Sequence, residues 1–243
     1  MQNRLGLHDD YVIDRDDNAW AYLDPTDPAF ARVLEQARYT INDAEMPWGR
    51  ARYFDRPDTP LTDRMDGKRI LRWMCDYSLT SFSLAHNYRE MPDHPASMVH
   101  WQFQYLDAAQ AAECGIVPCD ALVQAFGGKM SIYDWMRYLL GYLLRIEDVQ
   151  VAGDVCHITI ANYGMAAPWA YRNLQLVCAD GSTVESKEAF CAKELTSGQR
   201  VTYSFPLQGQ TPVGIRLREY ADRGACACFA NATQFDGKTQ YFA

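Results

Sequence analysis

Between Ser131 and Gly164 the hydrophobic positions change period. Ile132, Trp135, Met136, Leu139, Leu140 and Leu143 recur at i, i+3, i+4 and i+7, which places them on one helix face. Ser131, with Asp134 three residues on, is an N-cap arrangement for that helix. Cys156, Ile158 and Ile160 then alternate with His157, Thr159 and Ala161, the period of a half-buried strand. The switch, near Asp148, predicts two regions, residues 1–147 and 148–243.

Upstream of the switch the pattern alternates between strand and helix. Arg4–Ile13 is a strand candidate. Phe30, Val33, Leu34 and Ala37 mark a helix, Met46–Phe54 a short extended segment, and Ile70, Leu71, Met74 and Tyr77 a second helix. Thr80–Tyr88 is a third extended segment, followed by a helix around Met98–Ala112 that includes Trp101. Strands alternating with helices predict parallel βαβ units, hence α/β architecture. Downstream, Val155–Ala161, Leu174–Cys178, Thr183–Phe190, Val201–Phe205 and Val213–Leu217 are strand candidates. Turn signals such as Asp180-Gly181 separate them, which predicts an all-β antiparallel sandwich.

Composition narrows the functional classes. The net charge of −8 over 243 residues argues against a nucleic-acid partner. No run of 18 or more apolar residues is present, so no membrane partner is expected. Residues 1–10 lack the features of a signal peptide. Localisation is left open, with any export signal expected on a longer parent chain. The eight cysteines match no disulfide framework, and Cys226-Ala-Cys228 has the wrong spacing for a zinc knuckle. They read as buried free thiols. No Gly-rich phosphate loop, HExxH or GxSxG motif occurs, and neither cofactor nor metal is expected. The 15 tyrosines and six tryptophans offer flat rings for sugar stacking as well as for a core.

Polar side chains gather at the predicted strand ends, where α/β folds carry their chemistry. His8, Asp9 and Asp10 follow the first strand, Trp48, Arg50 and Arg52 lie in the second, and His86 and Asn87 end the third. Asp10 is the candidate catalytic carboxylate. His8, Asp9, Trp48, Arg50, Arg52, His86 and Asn87 are candidate substrate contacts.

Several segments in order resemble a known family, domain of unknown function 4832, usually the C-terminal part of glycoside-hydrolase-like proteins. RLGLHDDYVI resembles a strand ending in His-Asn-Asp, MPWGRA a Pro-x-Gly-Gly-Glu segment, and FSLAHNY a later strand with a His/Asn end. IYDWMRYLLGYLLRI resembles a helix ending in Leu-Gly-Tyr-Arg. ITIANYGMAAPWAYRNLQLV is similar to strands joined by Asn-x-Gly-x-Ala-Pro. The resemblance implies the C-terminal portion of a (β/α)8-like barrel followed by the sandwich. It also implies a carbohydrate partner, and the missing N-terminal barrel half in cis or in trans. The family's glutamate falls at Ala51, and Glu45 lies six residues away. Glycoside hydrolysis needs two carboxylates flanking the bond. The expected function is therefore a glycoside-hydrolase-like protein or fragment acting on or binding a polysaccharide. The alternative is a non-catalytic carbohydrate-binding or scaffolding module, and the isolated chain is expected to be inactive as a hydrolase.

Overall fold

The computed structural model describes residues 7–9, 28–45, 66–84, 100–219 and 226–242. The chain divides into two compact units, Met1–Gly141 and Tyr142–Ala243.

The first unit runs β1 (Leu7–Asp9), α1 (Phe30–Ala37), β2 (Asn42–Glu45), α2 (Gly67–Asp76), β3 (Ser81–Ser83), β4 (Tyr105–Asp107), α3 (Ala108–Glu113), α4 (Asp120–Ala125), β5 (Lys129–Ser131) and α5 (Ile132–Leu139). Strands β1, β2 and β3 lie side by side and parallel in that order. β4 and β5 form a separate antiparallel pair. Helix α2 starts at Asp66, whose carboxylate accepts from the backbone N–H groups of Lys68 and Arg69 at 2.7 and 3.2 Å. It buries Ile70, Leu71, Trp73 and Met74. Helix α5 is capped by Ser131, whose Oγ accepts from the Asp134 N–H at 3.1 Å. Its Ile132, Trp135, Met136 and Leu139 are buried. Gly67 lets α2 approach α5 closely, since a Cβ there would sit 2.7 Å from Ile132 Cγ2.

The expected C-terminal portion of a (β/α)8-like barrel is not found among the described residues. The described residues hold no closed barrel and no (β/α)8 arrangement but four small sheets, with strand outweighing helix, 34% against 24%. Among the described residues the parallel sheet has three strands, whereas a closed barrel of this kind takes eight. The expected extended segment Met46–Phe54 lies outside the described residues, and β2 is Asn42–Glu45. The helix expected around Met98–Ala112 is largely replaced. Asp107 and Gln110 form a capping box that starts a short helix only at Ala108, after β4. Helix α5 also ends earlier than its apolar period. Leu140 is extended and Gly141 takes φ +78°, with its N–H donating to the Leu79 carbonyl at 3.0 Å. Leu143 therefore lies beyond the helix, in the approach to a strand.

The second unit contains β6 (Leu144–Ala152), β7 (Val155–Asn162), β8 (Tyr171–Cys178), β9 (Thr183–Glu185), β10 (Arg200–Pro206), β11 (Pro212–Glu219) and β12 (Gln240–Tyr241). They make two antiparallel sheets, β10-β7-β6 and β12-β11-β8-β9. Period-2 alternation turns Cys156, Ile158, Ile160, Tyr203 and Phe205 of one sheet inward. Leu174, Leu176, Cys178, Ile215 and Leu217 of the other join them in one shared core.

Asn162 closes β7 and organises the link to β8. Its side chain is fully buried. Oδ1 accepts from the N–H groups of Leu143 and Gly164 at 3.0 and 2.9 Å, and Nδ2 donates to the carbonyls of Ala166 and Leu195 at 2.8 and 2.7 Å. All four hydrogen-bonding positions of the amide are used.

Candidate functional site

Most candidates from the sequence, Asp10, Trp48, Arg50, Arg52, His86 and Asn87, lie outside the described residues. His8 and Asp9 fall in β1, with Asp43 and Ala44 as their register partners in β2. Asp43 is next to Ser81 of β3 in turn, so His8, Asp43 and Ser81 occupy one row across three parallel strands. Ser81 Oγ donates to Asp43 Oδ1 at 2.5 Å. The row has a structural use, since it ties β2 to β3. Thr80 reinforces the same link: its Oγ accepts from the Asn42 N–H at 2.9 Å and donates to the Asn42 carbonyl at 2.8 Å. Glu45 stands at the last position of β2, in register with Ser83.

The site with the most developed geometry is in the second unit, at one edge of its two sheets. A cleft of about 460 Å³ lies along the outer side of β6, lined by Glu147, Asp148, Val149, Val151, Pro212, Asn231, Thr233, Tyr241 and Phe242, with Ile146 also on its wall. That volume is in the range of small-ligand sites.

Each wall has a local cause. Strand β6 carries an irregularity between Ile146 and Asp148, so Glu147 is an extra residue in the ladder. Its carboxylate accepts from Tyr163 Oη at 2.9 Å and pairs with Arg145 Nε at 3.3 Å. Arg200 Nη2 in turn donates to Tyr163 Oη at 3.3 Å. Burial raises the Tyr163 phenol above its ordinary range, and the Glu147 hydrogen bond adds to the shift. Asp148 is exposed and accepts from Gln150 Nε2 at 2.6 Å.

At Ile146 the strand edge is covered by a side chain. Asn231 Oδ1 accepts from the Ile146 N–H and Asn231 Nδ2 donates to the Ile146 carbonyl, both at 2.9 Å. The amide takes the place of a neighbouring strand residue. Gln240, fully buried, holds the loop that presents Asn231 and Thr233. Its Nε2 donates to Thr233 Oγ1 at 2.7 Å and its Oε1 accepts from the Phe229 N–H at 3.2 Å.

Tyr241 and Phe242 line the cleft and are both half-buried, and Phe242 also packs against the core of the unit. Tyr241 Oη donates to Asp236 Oδ2 at 3.0 Å. That bond raises the Tyr241 phenol. The N–H groups of Thr239 and Lys238 hold Asp236 below the usual carboxylate range. Gly214 is required where β12 meets β11, since a Cβ there would lie 2.7 Å from the Gln240 carbonyl oxygen.

The cleft therefore combines two rings, two carboxylates, an amide and a hydroxyl on a partly apolar floor. None of these residues was singled out in the sequence as part of a site. Glu147 and Tyr241 are far apart in the chain, so no local spacing joins them. Among the described residues no group of three His, Cys, Asp or Glu is placed to hold a metal ion. Nor is any described helix long and apolar enough to cross a membrane. Comparison with family models, with curated proteins and with solved structures gives no match.

Proposed function

We propose that this chain is a non-catalytic saccharide-binding protein and that the edge cleft of the second unit is its binding site. The observation that carries the reading is the pairing of the Tyr241 and Phe242 rings with Glu147, Asp148 and Thr233 around one cleft of about 460 Å³. A sugar ring has an apolar face and a rim of hydroxyl groups. Aromatic faces suit the former and carboxylate acceptors the latter. The two carboxylates favour a neutral or cationic saccharide over a uronic acid. The resemblance to a glycoside-hydrolase-associated family points to the same ligand class. Two points weigh against hydrolysis. Glu147 is engaged by Tyr163 and Arg145, and Ala51 stands where the family segment carries its glutamate.

The test is calorimetric titration of the full chain with neutral cello-, xylo-, manno- and chito-oligosaccharides. Binding by at least one, weakened about tenfold in Tyr241→Ala, is the expected result, given ~1.4 kcal/mol for one stacking contact. No binding by any of them, or equal binding by wild type, Tyr241→Ala and Phe242→Ala, refutes the reading.

A further inference from the structure

We infer that Cys156 and Cys178 form a disulfide joining the two sheets of the second unit when the chain folds in the presence of a low-molecular-weight disulfide oxidant. Both thiols are free here, and both side chains are almost completely buried. They belong to the same core and come from facing sheets. Each sits on an inner strand, β7 between β10 and β6, and β8 between β11 and β9.

They also share one end of the structure. β7 begins beside Cys156, and β8, which returns through the opposite sheet, ends at Cys178. The short crossover Leu207–Thr211 passes from one sheet to the other at that end. The Leu207 N–H donates to the Asp154 carbonyl at 2.8 Å and the Gly209 N–H to Asp154 Oδ1 at 2.9 Å, two residues from Cys156. At its far end the Thr211 carbonyl accepts from the Ala179 N–H at 2.9 Å, one residue from Cys178. Positive φ at Gln208 and Gly209 tightens the turn.

Facing sheets stand about 10 Å apart on average, whereas a disulfide needs Cα atoms within about 7 Å. A crossover this short holds the sheets together where the two cysteines lie. Sandwich domains pinned by a bond between the two sheets use the same device. Burial raises the Cys156 thiol, and the neighbouring Cys178 raises it further. Thiols that ionise poorly react slowly in the folded core, so the bond forms during folding, before the core closes.

The chemistry balances with oxidised glutathione. One protein thiolate attacks its S–S bond and releases a glutathione thiolate. The second protein thiolate then displaces the other glutathione from the mixed disulfide. Two protein thiols are oxidised, one small disulfide is reduced, and two protons end on two glutathione thiols.

The experiment refolds the full chain from denaturant with glutathione and its disulfide, or with excess dithiothreitol. N-ethylmaleimide then caps remaining thiols before tryptic mapping. Cleavage at Arg145, Arg172 and Lys187 puts the two cysteines in different peptides. A linked pair of these peptides is expected in the oxidised sample alone. The melting temperature should be roughly 10 °C or more above that of the reduced sample, a difference that Cys178→Ser abolishes. Recovery of Cys156 and Cys178 as separately capped thiols, or bonded to any other cysteine, overturns the inference.

Discussion

Replacing Asn162 with alanine removes a buried amide on which four backbone groups depend: the N–H groups of Leu143 and Gly164 and the carbonyls of Ala166 and Leu195. An intramolecular hydrogen bond contributes about 1 kcal/mol net, and a buried group left without a partner costs about 1–3 kcal/mol. Four such groups put the loss near 4 kcal/mol, a large share of the roughly 5–15 kcal/mol that holds a domain together. For a unit of this size that corresponds to a fall of about 15–30 °C in melting temperature. Asn162→Asp separates hydrogen bonding from volume. Aspartate keeps both acceptor bonds but turns an oxygen towards the Ala166 and Leu195 carbonyls in place of a donor. It should therefore destabilise too, although it leaves no cavity. Thermal melts followed by near-ultraviolet circular dichroism, with urea unfolding alongside, measure both variants. A melting temperature within about 5 °C of wild type in Asn162→Ala would show that water or neighbouring groups replace the amide, and the reasoning would fail. Wild-type stability in Asn162→Asp would show that the two donated bonds contribute nothing.

Gly214→Ala places a methyl group 2.7 Å from the Gln240 carbonyl; β12 should detach, giving faster amide exchange at Gln240 and Tyr241 and loss of the cleft, and unchanged exchange there would refute the account. Trp135→Ala empties a fully buried site and removes the bond from Nε1 to the Leu106 carbonyl at 3.3 Å. A loss of about 3–5 kcal/mol is expected, and an unaltered melting curve would mean that α5 adds no packing. Asp236 lies below its ordinary 3.8 because the Thr239 and Lys238 N–H groups favour its charged form. Its contribution is therefore present above about pH 3.8 and is lost as the pH falls through the lower folded value. A carboxyl NMR titration with a midpoint at or above 3.8 would contradict this.

Local pattern carried much of the secondary structure. Alternation placed β7, β10 and β11, and the i, i+3, i+4 spacing placed α1, α2 and the start of α5, because those periods report which side of an element is buried. The Asp180-Gly181 turn was legible as punctuation, and Ser131 as a cap, since both act within a few residues. The period could not say where α5 stops. Leu140 and Leu143 continue the apolar stripe, but Gly141 adopts a left-handed φ and hands its N–H to Leu79. Strand β6 was hidden for the same reason. Its first residues read as helix, and its exposed residues from Glu147 onward do not alternate cleanly around the irregularity.

The polar residues at strand ends suggested a barrel-end site, yet most of them fall outside the described residues, and the described strands form no barrel. The cleft and the shared core of the two cysteines were beyond any local reading. Glu147, Asn231 and Tyr241 line one cleft only because β6 and β12 edge opposite sheets, and Cys156 and Cys178 share a core only because β7 and β8 belong to facing sheets. Sequence by itself determined which faces are apolar and where the chain turns, because those depend on neighbours along the chain. Tertiary structure alone decided which distant side chains share a cleft or a core, because that follows from how the two sheets pair and pack.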